Sequence, residues 1–553
     1  METISGAETL LLTLSTQDVR ICFANPGTTE AHFMGAFDRV PSIRPVLCLH
    51  ETVATGAADG FARLRQQPAM TLLHLGPGLA NGLANLHNAR RAGSAVLNVV
   101  GDMASWHSKY DPLLNTNIQQ LATSVGATFT SVRSRKTVVP DTTNATRQLL
   151  VDSAHSRRCT PVVLTLPHDY GWELGPAACP ARDVTSGPEA DSGGSELGHY
   201  VEDCSEALCQ AARFARGKAA ILLGGSALLS AGGALQSAGQ IAAATGCHLI
   251  CENAFARLDR GRHLPCPERL AYFPQEAAAQ LRKYTLILVI GMKRPIAMFG
   301  YRNGPSELLS LPDEAVWEFD NDSASPATLL KMLASSVASR QPWPAKYMDA
   351  VAQQPAKAPQ APSGKLTAQA MCTLVAQSQP EGTIMVDESL TSGTAYWEAA
   401  KVAASFSHLT LTGGAIGSGP PLALGAAIAC PGQTVINLQA DGSAMYSLQA
   451  LWSQARENLK IITIICANQE YAILKVEMAR QQALPTLQPG VAAQSRPSRL
   501  LTDIGTPRIN WVSLAQGMGL QLATRATSCE EFREQMAAAL AHDGPSLIEA
   551  VLK

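Results

Sequence analysis

The chain has 553 residues, a length that predicts roughly three domains at about 150 residues each. Hydrophobic residues make up 46% and charged residues 16%, enough apolar material for large cores and too much for a long disordered chain. The formal net charge of −2 leaves no basic surplus to neutralise phosphates, which argues against a nucleic-acid binder. The opening METISGAETLLLTLSTQD carries Glu2 and Glu8 where a secretory signal needs positive charge. The longest apolar strings, such as IITIICA (461–467), fall far short of a membrane span. Thirteen cysteines are scattered, and the closest pairs, Cys204/Cys209 and Cys247/Cys251, lack partner pairs at zinc-site spacing. The expectation is a cytoplasmic protein with reduced, buried thiols and no membrane or nucleic-acid partner.

Two stretches read as linkers: 176–198, rich in Pro, Gly, Ser and Asp, and 353–364, rich in Pro, Gln and Ala. They divide the chain into 1–178, 199–345 and 365–553. The first piece contains VLCLH (46–50), AMTLLHL (69–75), AVLNVVG (95–101) and PVVLTLP (161–167). The second contains AAILLGG (219–225), HLICEN (248–253) and LILVIG (286–291). The third contains TIMVDE (383–388), TVINLQA (434–440), KIITIICA (460–467) and SLIEAVL (546–552). Apolar runs without alternation suit strands buried on both faces, with helices between them. The pattern predicts three open, parallel-sheet α/β domains, with chemistry just beyond the C-terminal strand ends.

In the first piece, Glu51 follows VLCLH and opens the helical stretch TVATGAADGFARL; taken alone, it is a glutamate favoured by the helix dipole. His74 follows a strand and precedes Gly-Pro-Gly, as a core or turn histidine also would. In the second piece, ILLGGSALLSAGGA (221–234) hints at a dinucleotide loop but lacks G-x-G-x-x-G. In the third, Thr391 and Ser392 in VDESLTSGTAYW put hydroxyls at a helix start, suited to phosphate oxygens or to N-capping. Gly413 and Gly414 in LTGGAIGSGPPLALGAAIA allow a close backbone approach, as any glycine-rich turn does.

The densest constellation follows. TVINLQA ends in Asp441-Gly442-Ser443, and KIITIICA runs into Asn468, 27 positions after Asp441. A β-α-β unit over this stretch places Asp441 and Asn468 at adjacent strand ends. Their oxygens suit a small hard cation such as Mg²⁺. Gly442 lets the backbone approach a phosphate, and the amides of Gly442 and Ser443 can donate to an anion. A plain helix cap at Asp441 and a turn at Asn468 is the competing reading.

Asp-Gly-Ser, about 27 residues, then Asn resembles the diphosphate signature of thiamine-diphosphate enzymes. ADGSAMYSLQALWSQARENLKIITIICANQEYAIL is similar to the matching segment of benzoylformate decarboxylase and of acetolactate-synthase large subunits. Ala440 stands where the motif usually has Gly, and Ala467-Asn468-Gln469-Glu470 where it usually has Asn-Asn. FANPGTTE (23–30), LHETVATGAADGFARL and LLHLGPGLANGLANLHNA (72–89) resemble the pyrimidine-binding domain. The resemblance covers nearly the whole chain, in the order pyrimidine domain, middle Rossmann-like domain, diphosphate domain.

That resemblance implies thiamine diphosphate held by Mg²⁺, with Asp441, Asn468 and the Glu470 carbonyl as metal ligands. Glu51 would bond N1′ of the aminopyrimidine, favouring the imino tautomer whose 4′-nitrogen deprotonates C2. The Gly414 carbonyl would accept from the 4′-amino group, and Ile416 would wedge between the rings. Asn25, Pro26, Gly27, Thr391, Ser392, Gly442, Ser443 and Tyr471 complete the implied cofactor contacts. His74 and Thr28 match active-site positions; His107 and Asn115 lie in a pocket-lining stretch, and Phe299 and Tyr301 are further pocket candidates. His50 and His87 are read as structural. Acetolactate synthases bind FAD in the middle domain, but this chain is not expected to.

The implied activity is a 2-oxo-acid decarboxylase or carboligase working through a C2 carbanion and an enamine, on a small 2-oxo acid or aldehyde, in a homodimer or homotetramer. The adjacent His-His pair of pyruvate decarboxylases is absent. A non-decarboxylating acyloin lyase or synthase remains open, as do a non-catalytic regulatory relative and a flavin or nicotinamide oxidoreductase.

Overall fold

Buried apolar runs become the central strands. Every residue of Ala69–Leu73, Ala219–Leu223, Leu286–Ile290 and Ile461–Ala467 is buried, as a parallel sheet covered on both faces requires. A computed structural model describes residues 3–154, 159–177, 194–215, 217–319, 324–343, 360–480 and 497–552. Most of both expected linkers, at 178–193 and 353–359, lies outside the described residues.

The first sheet has six parallel strands in the order Arg44–Leu47, Ile21–Asn25, Ala69–Leu73, Val96–Asp102, Val162–Pro167, Thr128–Ser131. The second has five parallel strands in the order Glu268–Arg269, His248–Cys251, Ala219–Leu223, Leu286–Ile290, Val316–Glu318. The third has seven: Leu258–Arg260, Phe406–Thr410, Thr383–Glu388, Val435–Ala440, Ile461–Ala467, Ser546–Val551, Leu522–Ala526. Three open parallel-sheet α/β units are therefore present. One edge departs from the expected pattern. Leu258–Arg260, from the middle of the chain, pairs antiparallel with Phe406–Thr410 of the third sheet. The Arg260 guanidinium lies 3.7 Å over the Trp397 ring, and Ser407 donates to Asp259, so this edge ties the middle unit to the third.

The first and third sheets meet through two helices, Glu51–Arg65 and Gly419–Ala429. Their contact is lined by small residues. A Cβ on Gly60 would stand 2.2 Å from the Leu422 carbonyl oxygen, and one on Gly425 would stand 1.8 Å from that of Ala57. Nearby, Arg63 pairs with Asp59 with both side chains buried, and donates to the carbonyls of Ala256 and Thr410. One guanidinium thus touches all three units, and breaking a buried pair of this kind costs about 3–5 kcal/mol. No helix among the described residues is long and apolar enough to cross a membrane.

Gly425→Ala is expected to destabilise the chain by about 1–3 kcal/mol, because backbone cannot yield as a side chain does. Urea denaturation measures it; a midpoint equal to the parent's would show that the helices are not held at this distance.

Candidate active site

Glu51 is the first residue of its helix, where a negative charge is favoured. His50 precedes it as the N-cap, its Nδ1 accepting the Thr52 N–H at 3.1 Å. The Glu51 side chain is buried. Its Oε2 accepts from Asn81 Nδ2 at 3.0 Å, while Oε1 faces Gly78, where a Cβ would come within 3.2 Å. Oε1 takes no hydrogen bond from the described residues.

His74 caps the helix Leu75–Ala92 at the end of strand Ala69–Leu73. Its ring lies on Gly27, where a Cβ would sit 2.3 Å from Nδ1. Nδ1 is 2.8 Å from Glu30 Oε2 and 3.3 Å from Thr29 Oγ1. Glu30 is fully buried and also accepts the Gly27 N–H at 2.8 Å and the Thr29 hydroxyl at 2.6 Å. A carboxylate only accepts, so it selects the Nδ1–H form of His74 and leaves Nε2 for chemistry.

Asn25, Pro26 and Gly27 form the chain's path from strand Ile21–Asn25 into this turn. Thr28 is exposed, and it is Thr29, not Thr28, that reaches His74. His107 and Asn115 are exposed on the 103–117 loop. His107 packs edge-on against Trp106, and the Asn115 amide bonds Asp111; neither contacts Glu51 or His74. Glu30 and Asn81 were not singled out from the sequence. The signal for Asn81 was a helical stripe, Gly78, Asn81, Gly82, Asn85 and Asn88, facing helix Glu51–Arg65. Glu30 gave no signal beyond a carboxylate closing an apolar strand-turn.

The second cluster sits on the third sheet. Val435–Ala440 and Ile461–Ala467 are adjacent parallel strands with helix Gln449–Arg456 between them, as the spacing predicts. Asp441 Oδ1 accepts from Gly442 N at 2.8 Å, and Oδ2 accepts from Gln469 N at 2.7 Å. Asn468 Oδ1 accepts from Glu470 N at 3.1 Å. Burial, with the nearby Glu470 charge, pushes the Asp441 carboxyl above the usual aspartate range. The Glu470 side chain pairs with Lys475. The bridge beside it runs through Tyr471 N to Thr502 O and Ile504 N to Gln469 O. Gly442 leaves room for the Tyr471 ring, which lies within 2.4 Å of where a Cβ would be. The Ser443 hydroxyl turns inward, taking a bond from Gln439 at 2.6 Å and giving one to the Ala440 carbonyl.

Thr391 and Ser392 lie in the 3-10 turn Leu390–Gly393, which has no side-chain cap. The capping alternative therefore fails, and neither hydroxyl has a partner among the described residues. The 412–419 loop is held from two sides. His87 Nε2 meets the Gly413 carbonyl at 3.1 Å, and Asn88 Nδ2 donates to the Ala415 carbonyl at 2.8 Å. Between them, Gly414 (φ +77°) is exposed and its carbonyl takes no bond from the described residues. Ile416 follows, half-buried. From below, buried Glu388 accepts from Gly417 N at 2.6 Å, from Ser418 Oγ at 3.1 Å and from Gly419 N. Glu388 was also missed; it ends the expected strand TIMVDE but reads there as a strand terminus.

In the middle unit, the Gly225 amide donates to Glu252 Oε1 at 3.3 Å, so the protein's own carboxylate occupies the glycine loop. Phe299 is exposed, and the Tyr301 hydroxyl donates to Glu477 at 2.8 Å on helix Ala472–Arg480. Tyr301 thus anchors the helix that follows the Asn468–Tyr471 turn.

Glu388→Gln turns an NH₂ towards one of the two backbone N–H groups and is expected to cost about 1–3 kcal/mol. It should also raise amide exchange across 412–419. Parent-like exchange there would mean that Glu388 does not hold the loop.

Both clusters fall inside regions that match known family models. Residues 4–124 match the thiamine pyrophosphate enzyme N-terminal TPP binding domain, and residues 391–550 match the C-terminal TPP binding domain. Over 557 residues the chain is 40% identical to a putative acetolactate synthase large subunit, IlvX, of Mycobacterium tuberculosis, covering 99% of each. It is 27% identical to benzoylformate decarboxylase of Pseudomonas aeruginosa, over 95% of each chain. The fold is similar to that of a thiamine diphosphate-dependent 4-hydroxybenzoylformate decarboxylase of Rhodococcus jostii RHA1, with a TM-score of 0.81 at 23% identity, covering 100% of this chain and 99% of that one. With both terminal domains matched and a full-length relative at this identity, the chain belongs to the thiamine pyrophosphate enzymes.

Proposed function

We propose that the chain is a thiamine-diphosphate- and Mg²⁺-dependent enzyme that decarboxylates a 2-oxo acid, and either protonates the product to an aldehyde or joins it to a second carbonyl. The observation that carries this reading is buried Glu51, with one free carboxylate oxygen, beside a histidine oriented by Glu30. The relatives named acetolactate synthase and benzoylformate decarboxylase support the same substrate class.

The residues present fit the cofactor and the metal. Asp441 is a buried carboxylate with no Lys or Arg partner among the described residues, at the strand end adjacent to that of Asn468, an all-oxygen donor set that suits Mg²⁺. Asp441, Asn468 and the Glu470 carbonyl would hold the ion. The partnerless hydroxyls of Thr391 and Ser392 suit diphosphate oxygens, and the Gly442–Ser443 turn with the Tyr471 ring would close around them. Glu51 Oε1 would share a proton at N1′, while the exposed Gly414 carbonyl would accept from the 4′-amino group and Ile416 would support the bend. When bound, the cofactor supplies an electron sink for the carbon that loses CO₂. His74 Nε2 would move a proton at the substrate, and Thr28, exposed on the neighbouring turn, would face the same substrate. The turn Asn25–Gly27 would border the aminopyrimidine. The units 1–178, 199–345 and 365–553 would act as pyrimidine, middle and diphosphate domains. They would assemble as at least a dimer, in the cytoplasm, without FAD.

Calorimetry with thiamine diphosphate and Mg²⁺, followed by CO₂ release from a panel of 2-oxo acids, tests the reading. The parent should bind and turn over one acid class. Glu51→Gln should lose at least about 100-fold in turnover, and Glu30→Gln about 10- to 100-fold, as loss of proton transfer predicts. Binding without CO₂ release from any acid would move the acyloin lyase ahead, and absence of binding would sink the reading.

The raised Asp441 carboxyl adds a pH dependence. Cation binding needs the carboxylate, so Mg²⁺ affinity is full above that raised value and falls as pH drops through it. The fall should begin at a higher pH than an ordinary aspartate gives. Asp441→Asn should weaken Mg²⁺ binding by more than the roughly 10- to 100-fold typical of outer-shell losses. A titration that is flat from pH 7 to pH 4 would remove Asp441 from the ligand set.

A further inference from the structure

Helix Leu75–Ala92 carries three amides on one face, Asn81, Asn85 and Asn88, spaced four and three residues apart. Asn81 serves Glu51. Asn88, about 10 Å further along the axis, serves the third sheet. It is fully buried, and both halves of its amide are used. Nδ2 donates to the Ala415 carbonyl at 2.8 Å, and Oδ1 accepts the Ala415 N–H at 3.2 Å. The Asn88 backbone carbonyl takes the Thr412 hydroxyl at 2.8 Å. A Cβ on Gly413 would stand 2.5 Å from Asn88 Oδ1, so loop and amide are in close contact. From Asn88 the bonds continue: Nδ2 to Asn85 Oδ1 at 2.9 Å, then Asn85 Nδ2 to the Thr52 carbonyl at 2.9 Å. Thr52 adjoins Glu51.

We propose that Asn88 is a positioning residue for the cofactor. It fixes the Thr412–Ala415 loop from the first sheet's side, so that the Gly414 carbonyl is set to receive the aminopyrimidine, and it ties that loop by a buried amide chain to the turn bearing Glu51. This rests on the thiamine-diphosphate reading above. The physical need is clear. A Gly-Gly loop has the most backbone freedom to lose, and holding it beforehand removes that cost from binding. Only a side chain with both a donor and an acceptor can grip the N–H and the C=O of one residue together; aspartate offers no donor and leucine offers neither.

Thiamine-diphosphate affinity is measured by calorimetry on the full chain with Mg²⁺, for the parent, Asn88→Ala, Thr412→Val and Thr71→Val. Thr71→Val is the control: it removes a buried bond to Asn98 inside the first sheet, away from the loop. Near-ultraviolet circular dichroism of the bound cofactor is recorded at saturation for each. Asn88→Ala should bind about tenfold more weakly, the effect of losing roughly one net hydrogen bond, and should alter the dichroic band. Thr412→Val, of nearly parental shape, should shift both in the same direction and covers the case in which Asn88→Ala does not fold. Thr71→Val should lower the melting temperature while keeping the parent's affinity and band. Parent-like affinity and band in Asn88→Ala or in Thr412→Val would overturn the proposal and leave the cofactor reading intact. A parent that binds no thiamine diphosphate would overturn both.

Discussion

Everything chemical in this chain depends on how closely two helices can approach. Glu51–Arg65 and Gly419–Ala429 cross where glycines meet backbone carbonyls, at Gly60 against Leu422 and Gly425 against Ala57. Each helix begins at a turn of the candidate site. The first starts at Glu51 itself, and the second starts where Glu388 grips Gly417 and Gly419. A wider crossing would move both turns together. Interiors are packed too densely to absorb an added methyl against backbone, so this small-residue seam sets the frame in which the 412–419 loop meets helix Leu75–Ala92.

Within that frame, three buried carboxylates are treated in different ways. Glu30 is surrounded by donors and holds a histidine. Glu388 is also surrounded by donors, two of them backbone N–H groups, and holds a loop. Asp441 accepts two backbone N–H groups, and burial raises its carboxyl as it raises that of Glu388. Unpaired buried charge is costly and is tolerated where something else compensates it. Glu30 and Glu388 are complete as they stand, which suits positioning roles. Asp441 accepts from two donors where Glu30 and Glu388 each have three partners among the described residues, which leaves its oxygens room for a ligand.

The sheets were legible because their central strands are apolar on both faces. AMTLL, LILVI and IITIICA admit no other environment. The edges were not legible. Thr128–Ser131 and Leu522–Ala526 are half-exposed and mixed in composition, and Leu258–Arg260 is a three-residue strand whose partner lies in another part of the chain. No local pattern encodes such a pairing. At the candidate site, the sequence singles out the residues that stand in a motif: Glu51, His74, Asp441 and Asn468. It does not single out residues that act through another side chain. Glu30, Asn81, Glu388 and Asn88 owe their roles to distances of about 3 Å across elements, and only the folded chain brings those together. Tyr301 was read as a pocket residue for the converse reason: a tyrosine in a loop advertises nothing about the Glu477 it holds.

The departures from the family motif at the Asn468–Tyr471 turn fit the same logic. Gln469 stands at φ +61°, in the left-handed region that an ordinary residue enters at a cost of about 1 kcal/mol. Its N–H goes to Asp441 Oδ2 and its carbonyl accepts the Ile504 N–H at 3.0 Å, so both backbone groups are satisfied only in this conformation. Strain at a turn persists when the surroundings over-determine it, and here the strained residue is the one that fixes Asp441. A glycine would adopt the same turn without strain, but with more freedom to leave it. Gln469 accepts a local penalty and helps hold the Asp441 carboxylate beside the Asn468 turn. The turn therefore holds its oxygen donors in place through backbone hydrogen bonds, before any ligand arrives.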